Sequence, residues 1–541
     1  MNQTLLQVTG LSRSTADIRL PSLVYGVPVL CPIASADVLD ISSEQLVGQR
    51  GVLGILTADS ALSGLGRRLQ PLLSQLLSKT VSCAGQIVAL VLADSPQLAS
   101  SVACQISLRI REQPGPLTVH AAIAKGSSRQ PIRLSSGQPA EAFADSRTRL
   151  RQTYRTLARL RGDFAQGTAT AVWRGDALTV YAIGASQSAL RDRLGLPEDK
   201  LLLVSSELGE SQALNLSSSL LAAIAAAHLD RPVSVTLPAL SVAGTVPETM
   251  QTLSLGLDAE DLPHALLLHG AVAGSFSGQP SELSAMDLAA AYGFAHRELS
   301  LLPVAVHLPT SDRFVGVELE FSLEAAIDEL ATQRGEDPIQ LRLRWLANRP
   351  DGDRLHRCLL ALQRLCGSSA SASSSSTSVM FGQRRGLGIA AAAWRSSSGP
   401  LLFGAHAIEV SVSSGRIDLV RHLCVLDVGA VDADADSVVR KSLAHARKLT
   451  LRKELSLQAR TGWISSSLGD SAHAASVASL EIQLLSSSKP GLSVTHREDV
   501  AAVAASGVSA ALVNALSSAL GVRLRTVSPS VVAAMSGSSP W

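Results

Sequence analysis

The sequence predicts an α+β protein, and three observations carry that reading. Short runs of Val, Leu and Ile, at residues 23–27, 52–56 and 87–92, alternate with Gly- and Pro-bearing turns and read as strands. Longer segments between them, such as 60–77 and 95–110, carry apolar residues at helical spacing. A nearly pure Ser/Ala tract at 367–378 has no apolar periodicity and divides the chain.

Taken in order, residues 1–120 form an α+β unit and 121–145, rich in Pro, Gly and Ser, a linker. Residues 146–366 form a second unit. Strands at 169–173 and 178–183 flank the turn Arg174-Gly175-Asp176-Ala177, and a helix follows to Leu194. A buried strand at 201–205 precedes a helix at 216–229, which ends before Asp230-Arg231-Pro232. A helix capped by Ser322 carries Leu323, Ile327 and Leu330 on one face, and Pro338 opens the next. Glu324, Asp328 and Glu329 read as two solvated carboxylates and one capping or ion-pairing residue. After the linker at 367–380, residues 381–541 form a third unit. It holds a hairpin, 407–412 and 416–420, turning at Ser414-Gly415, and a helix running to about residue 455. From Glu498 the chain reads as a small-residue loop, then an Ala-faced helix capped by Ser506 or Ser509 and stopped at Gly521.

Composition bounds the function. The chain has 541 residues and a formal charge of +2, with 17 % charged residues against the usual quarter or so. That balance argues against nucleic acid, and the basic runs at 147–161 and 440–453 read as solvated helix faces. No two of Cys31, Cys83, Cys104, Cys358, Cys366 and Cys424 are spaced Cys-x-x-Cys, so no iron–sulfur or zinc site is written locally. They read as buried thiols of a reducing, cytoplasmic compartment. The longest apolar run, 220–229, is too short to span a bilayer. His264, His269, His296 and His307 form no ligand set, and Asp432, Asp434 and Asp436 lack the glycine and closing glutamate of a calcium loop, so no metal ligand is assigned.

Several landmarks fall in a known order. They are Thr15-Ala16-Asp17-Ile18-Arg19-Leu20-Pro21 with Tyr25-Gly26, then Gly51-Val52 with Leu56-Thr57-Ala58-Asp59, then Gly85-Gln86 with Val88-Ala89-Leu90-Val91. Later come Thr310-Ser311-Asp312-Arg313-Phe314-Val315-Gly316, Asp427-Val428-Gly429-Ala430, and Ala510, Ala511, Asn514, Ala515, Ala519 and Gly521 followed by Arg523, Leu524, Arg525 and Pro529. Together they resemble the molybdopterin-binding large subunits of the xanthine dehydrogenase and aldehyde oxidase family. The resemblance implies an amino-terminal hammerhead-like domain followed by two α+β molybdopterin-binding-type domains. It implies a molybdopterin cofactor and hydroxylation of an aldehyde or N-heterocycle. Iron–sulfur clusters and flavin would lie on small partner subunits rather than in this chain, within a homo- or hetero-oligomer. By the same resemblance Gln187, Gly209, Gly316 and Gly429 face the cofactor and Arg313 lies in its loop.

The cofactor-facing positions depart from the pattern. The family's glutamate base falls, counted back from Asn514, on Ala502, and Glu498 four residues upstream is the nearest replacement. The glycine-rich loop becomes Glu207-Leu208-Gly209-Glu210-Ser211, whose two carboxylates oppose an anionic group. Ala433-Asp434 and Arg440 replace an Asn-Pro pair and a glutamine. Scaffold residues survive better than cofactor-facing ones. That pattern favours a non-catalytic relative; the alternatives are an active hydroxylase using Glu498 and Arg313, and a small-molecule binder using the vacated cavity.

Overall fold

Four larger sheets and the helices that cover them make up the fold of the computed structural model. It describes residues 15–527 apart from 84, 127–129, 161–166, 183–186, 205–215, 238–244, 275–282, 309–314, 348, 350–351, 369–382, 396–400, 414–415, 430–434, 452–476 and 486–495. A seven-stranded sheet runs in the order Leu201–Val204, Ala177–Ala182, Gly167–Arg174, Val233–Leu237, Val24–Leu30, Ile87–Ala93, Val52–Thr57. It therefore joins amino-terminal strands to later ones through the parallel pairing of Val24 with Val233. Pairing to Val233–Leu237 ends at Gly26, two residues before Pro28, which has no N–H to offer that edge. The Leu216–Leu229 helix covers this sheet with every residue from Ser218 to Ala227 buried. That all-round apolarity is what a helix enclosed on all sides requires.

A second sheet of six strands runs Thr526–Val527, Thr148–Thr156, Thr249–Leu257, Pro263–Ala273, His296–Val304, Ile132–Ser136. Its inner face (Leu150, Tyr154, Leu253, Leu255, Leu266, Leu268, Leu299 and Leu301) packs into the largest core with the Val315–Arg334 helix. The third sheet, Arg384–Arg395, Leu401–Ser413, Arg416–Asp427 and Val477–Leu485, shares that core and is crossed by the Val508–Leu520 helix. A three-stranded sheet, Thr80–Val81, Ala36–Ser42 and Ser107–Glu112, completes the amino-terminal part.

Several expectations need correction. The stretch read as a linker at 121–145 contains the edge strand Ile132–Ser136 and the Pro139–Asp145 helix, whose polar outer faces hide the pattern. The helix expected over 95–110 stops at Gln105, and Ser107–Glu112 is a strand. The basic run at 147–161 is largely the strand Thr148–Thr156, because Leu150, Tyr154 and Thr156 alternate with Arg149, Arg151 and Arg155 at period two. The helix at 440–453 is Ala435–Thr450, and its Arg447 is buried rather than solvated. Cys31, Cys358 and Cys424 are buried, Cys83 and Cys366 half-buried, and Cys104 exposed; all six are free thiols. Residues 497–520 are apolar and long enough to cross a bilayer on composition, yet 83 % of an 18-residue apolar window within them is buried and the run breaks at Ser506 and Gly507.

Candidate functional site

The Val315–Arg334 helix carries five buried carboxylates, Glu318, Glu320, Glu324, Asp328 and Glu329. The expectation of solvated carboxylates fails because each meets a partner from a distant part of the chain. Glu324, fully buried, accepts from Tyr292 Oη at 2.7 Å, from Arg342 Nη2 at 2.7 Å and Nε at 3.1 Å, and from the Ala391 N–H at 2.8 Å. Asp328 accepts from Arg523 Nη1 at 2.8 Å, while burial raises its carboxyl above the ordinary range. Glu329 accepts from Tyr154 Oη at 2.9 Å and from Arg525 Nη2 at 2.5 Å and Nε at 3.1 Å. Glu318 accepts from Arg159 Nη2 at 3.2 Å. Charge-assisted bonds of this kind hold where a lone buried charge would not.

Ser322 lies inside this helix, not at its start, and donates to Gln251 Oε1 at 2.6 Å. Asn514 is also committed. Its Nδ2 donates to the Ile389 carbonyl at 2.9 Å, and its Oδ1 accepts from Arg523 Nη2 at 2.7 Å. The residues that carry the closing part of the resemblance thus pin the Val315–Arg334 helix, the Arg384–Arg395 strand and the carboxyl-terminal tail together.

The position expected to bear the base lies beside this framework. Residues 497–505, expected as a loop, form the Arg497–Ala505 helix, since Ala favours helix and Val500, Val503 and Ala504 bury one face. Ala502 is half-buried in its second turn. Glu498 is exposed in the first turn, four residues or ~6 Å along the axis from Ala502. The chain then turns at Gly507, which is left-handed at φ 79° and starts the Val508–Leu520 helix without a side-chain cap. The expected caps are not used: the Ser506 and Ser509 hydroxyls are buried without a hydrogen-bond partner. Gly521 is left-handed past the last turn, as expected. The Val508–Leu520 helix lies so close to the neighbouring strand that a Cβ on Gly388 would stand 2.0 Å from the Ala511 carbonyl oxygen. One on Gly507 would stand 2.8 Å from the Ala391 oxygen.

Beneath this turn lies a buried chain of nitrogens that the sequence did not reveal. Arg447 Nη1 donates to His422 Nδ1 at 2.9 Å, and His422 Nε2 lies 3.2 Å from His406 Nδ1. Because guanidinium only donates, His422 carries its proton on Nε2 and passes the pattern on. His406 therefore holds its own proton on Nε2, which has no hydrogen-bond partner. Burial pushes the His406 imidazole down to about 4, the nearby Ser506 backbone opposing it, and burial with the neighbouring His406 and Arg447 also holds His422 well below the usual imidazole range. The unfolded state accordingly binds protons first as pH falls, so this pair removes stability as pH drops from 6.5 through 4. The raised carboxyls of Glu318, Glu320 and Asp328 act in the opposite sense, favouring the folded state at low pH. The slope of unfolding free energy against pH between 4 and 6.5 should therefore be less positive in His406→Gln than in the parent chain, measured by urea denaturation at each pH.

The remaining expected positions have these surroundings. Gln187 is exposed at the start of the Gln187–Leu194 helix, and its Nε2 donates to the Leu201 carbonyl at 3.1 Å. Gly429, left-handed at φ 73°, follows Asp427, whose buried carboxylate is held by Arg354 and Arg357. Gly316 lies in the first turn of the Val315–Arg334 helix. Arg440 pairs with Asp436 on an exposed helix face. Arg313, Gly209 and its neighbouring carboxylates, and Asp432 and Asp434 lie outside the described residues.

Comparison with known proteins gives the context for this geometry. Residues 9–114 match the model of the aldehyde oxidase and xanthine dehydrogenase a/b hammerhead domain, and residues 122–346 match the molybdopterin cofactor-binding domain. The aldehyde oxidoreductase molybdenum-binding subunit PaoC of Escherichia coli K12 is 27 % identical over 357 residues, 62 % of this chain and 48 % of that protein. The chain thus spans about half the length of the curated relatives it matches. Among solved structures, aldehyde oxidoreductase from Desulfovibrio gigas superposes with a TM-score of 0.81 at 16 % identity, covering 98 % of this chain and 79 % of that one. Quinoline 2-oxidoreductase from Pseudomonas putida 86 gives 0.81 at 15 %, covering 100 % and 98 %. CO dehydrogenase from Oligotropha carboxidovorans gives 0.75 at 13 %, covering 98 % and 96 %. At these identities the superpositions establish the shared fold.

Proposed function

We propose that this chain, which belongs to the xanthine dehydrogenase and aldehyde oxidase family of molybdopterin-binding large subunits, acts as a non-catalytic subunit or partner with a degenerate cofactor site. The observation that carries this reading is the methyl group of Ala502 beside an intact framework. A positioned base typically supplies on the order of 10²–10⁴-fold in rate, so its loss alone would cripple the family's hydroxylation.

Features of the described residues support the reading of a degenerate cofactor site. Close approaches that glycine permits at Gly386, Gly388 and Gly507 are filled by the protein's own backbone and the His406 ring. Gln187 is exposed and bound to Leu201, and the position where the family carries an amide holds the solvated Arg440–Asp436 pair. The partner reading rests on the Escherichia coli relative, itself a molybdenum-binding subunit, and gives iron–sulfur and FAD subunits as the companions to seek. Six free thiols favour the cytoplasm.

The competing reading, an active hydroxylase, rests on Glu498, one helical turn from Ala502. The test is expression with the cofactor maturation machinery, followed by assay of aldehyde and N-heterocycle oxidation with an artificial electron acceptor. No turnover above background is expected. Turnover that disappears in Glu498→Gln would overturn the non-catalytic reading.

A further inference from the structure

The outer face of the six-stranded sheet carries a second feature, on the side away from the cofactor-type core. Strand register places Thr153, Thr252, His269, Ser300 and Arg133 in one row across five strands. The adjacent row is Arg151, Ser254, Leu267, Glu298 and Ser135. Five strands at ~4.8 Å spacing make each row about 19 Å long. Arg133, Arg151, Thr153 and His269 are exposed, and Thr252, Glu298 and Ser300 half-buried, so the face is open between the Val119–Ala124 and Pro139–Asp145 helices.

Its charge is unbalanced. Glu298 is the only carboxylate in these rows, and His269 Nε2 engages it at 2.6 Å. Arg133, Arg151 and Arg155, the last opposite Met250 on the same face, form no ion pair among the described residues, and only Arg155 feels a further carboxylate, that of Glu248, which already accepts from the Val119 N–H. Elsewhere arginines are commonly paired, as in Arg334–Asp261, Arg395–Asp287 and Arg416–Asp418. Glu141 and Asp145, on the helix bounding one end, are exposed. Guanidinium groups at positions 151 and 155 of the Thr148–Thr156 strand and at 133 on the Ile132–Ser136 strand present forks that match carboxylates in bidentate geometry.

We propose that this strip is a docking surface for an acidic polypeptide segment of a partner protein, laid across the strands. The charge complementarity comes from Arg133, Arg151 and Arg155, and the Thr153–Thr252 hydroxyl pair at 3.0 Å and Ser300 offer acceptors and donors for backbone. Nucleic acid fits less well. No aromatic side chain stands in either row for base stacking, and the Glu298 carboxylate would lie among phosphates. The surface is independent of the cofactor site, so its failure would leave the proposed function untouched.

The test uses the full chain and a fluorescent peptide of about twelve residues alternating Glu and Thr, followed by anisotropy at two salt concentrations. Arg133→Glu/Arg151→Glu/Arg155→Glu should weaken binding at least tenfold, the Gln triple less, and Arg109→Glu/Arg193→Glu, at exposed sites elsewhere, not at all. Added salt should weaken binding to the parent chain. Equal binding by the parent and the Glu triple, an equal loss in the control, or tighter binding of an oligothymidine of equal charge that the Glu triple abolishes would each overturn the proposal.

Discussion

Arg342→Leu is expected to lower the unfolding free energy by about 3–5 kcal/mol, because it leaves the Glu324 carboxylate buried without its cation. Both side chains have no solvent exposure, and the ion pair is 2.7 Å long. The Tyr292 hydroxyl and the Ala391 N–H would still bond Glu324, but neither neutralises it. Removing the charge as well should recover much of the loss. In Glu324→Gln/Arg342→Leu a neutral amide can still accept from Tyr292 and Ala391. Urea midpoints of the single and double variants check this. A double variant less stable than Arg342→Leu would contradict the explanation by an uncompensated charge.

Gly388→Ala is expected to cost about 3 kcal/mol, through a clash that no side-chain rotation relieves. The new methyl would meet the Ala511 oxygen at 2.0 Å and the Ala515 nitrogen at 2.1 Å, both backbone atoms of the Val508–Leu520 helix. Either that helix moves off the Arg384–Arg395 strand or the strand bends. Gly54→Ala, in the strand Val52–Thr57, is the control. Nothing stands within 4 Å of a Cβ there, so it should be neutral or slightly stabilising. Comparable losses in the two variants would show that the close approach at Gly388 is not what limits the substitution.

These effects show why part of the molecule was legible in the sequence and part was not. The Leu216–Leu229 helix, the hairpin of Gly167–Arg174 with Ala177–Ala182, the Pro338–Leu346 helix and the stop at Gly521 follow from local signals: apolar runs, a Gly turn, Pro at a first turn, Gly past a last one. The buried carboxylates do not. Glu329 meets Tyr154 and Arg525, 175 and 196 residues away, and Asp328 meets Arg523 at 195, so neighbouring residues make them look solvated. Arg149, Arg151 and Arg155 suit more than one period in their spacing, and only the alternating Leu150 and Tyr154 decide for a strand. Residues 498–505 looked like a loop because they are small. Ala is also the strongest helix former, and burial of Val500 and Val503 settles the matter. At the candidate site, the absence of a carboxylate at Ala502 was legible by counting from Asn514. The role of Asn514 as a clamp on Ile389 and Arg523 was not.

On the proposed reading, packing survives in this chain while the prosthetic group's contacts do not. Its most direct test is the molybdenum-to-protein ratio, with pterin fluorescence, of protein purified after expression with the maturation machinery. A ratio near zero is expected in folded protein that unfolds cooperatively. Stoichiometric molybdenum with bound pterin would contradict it.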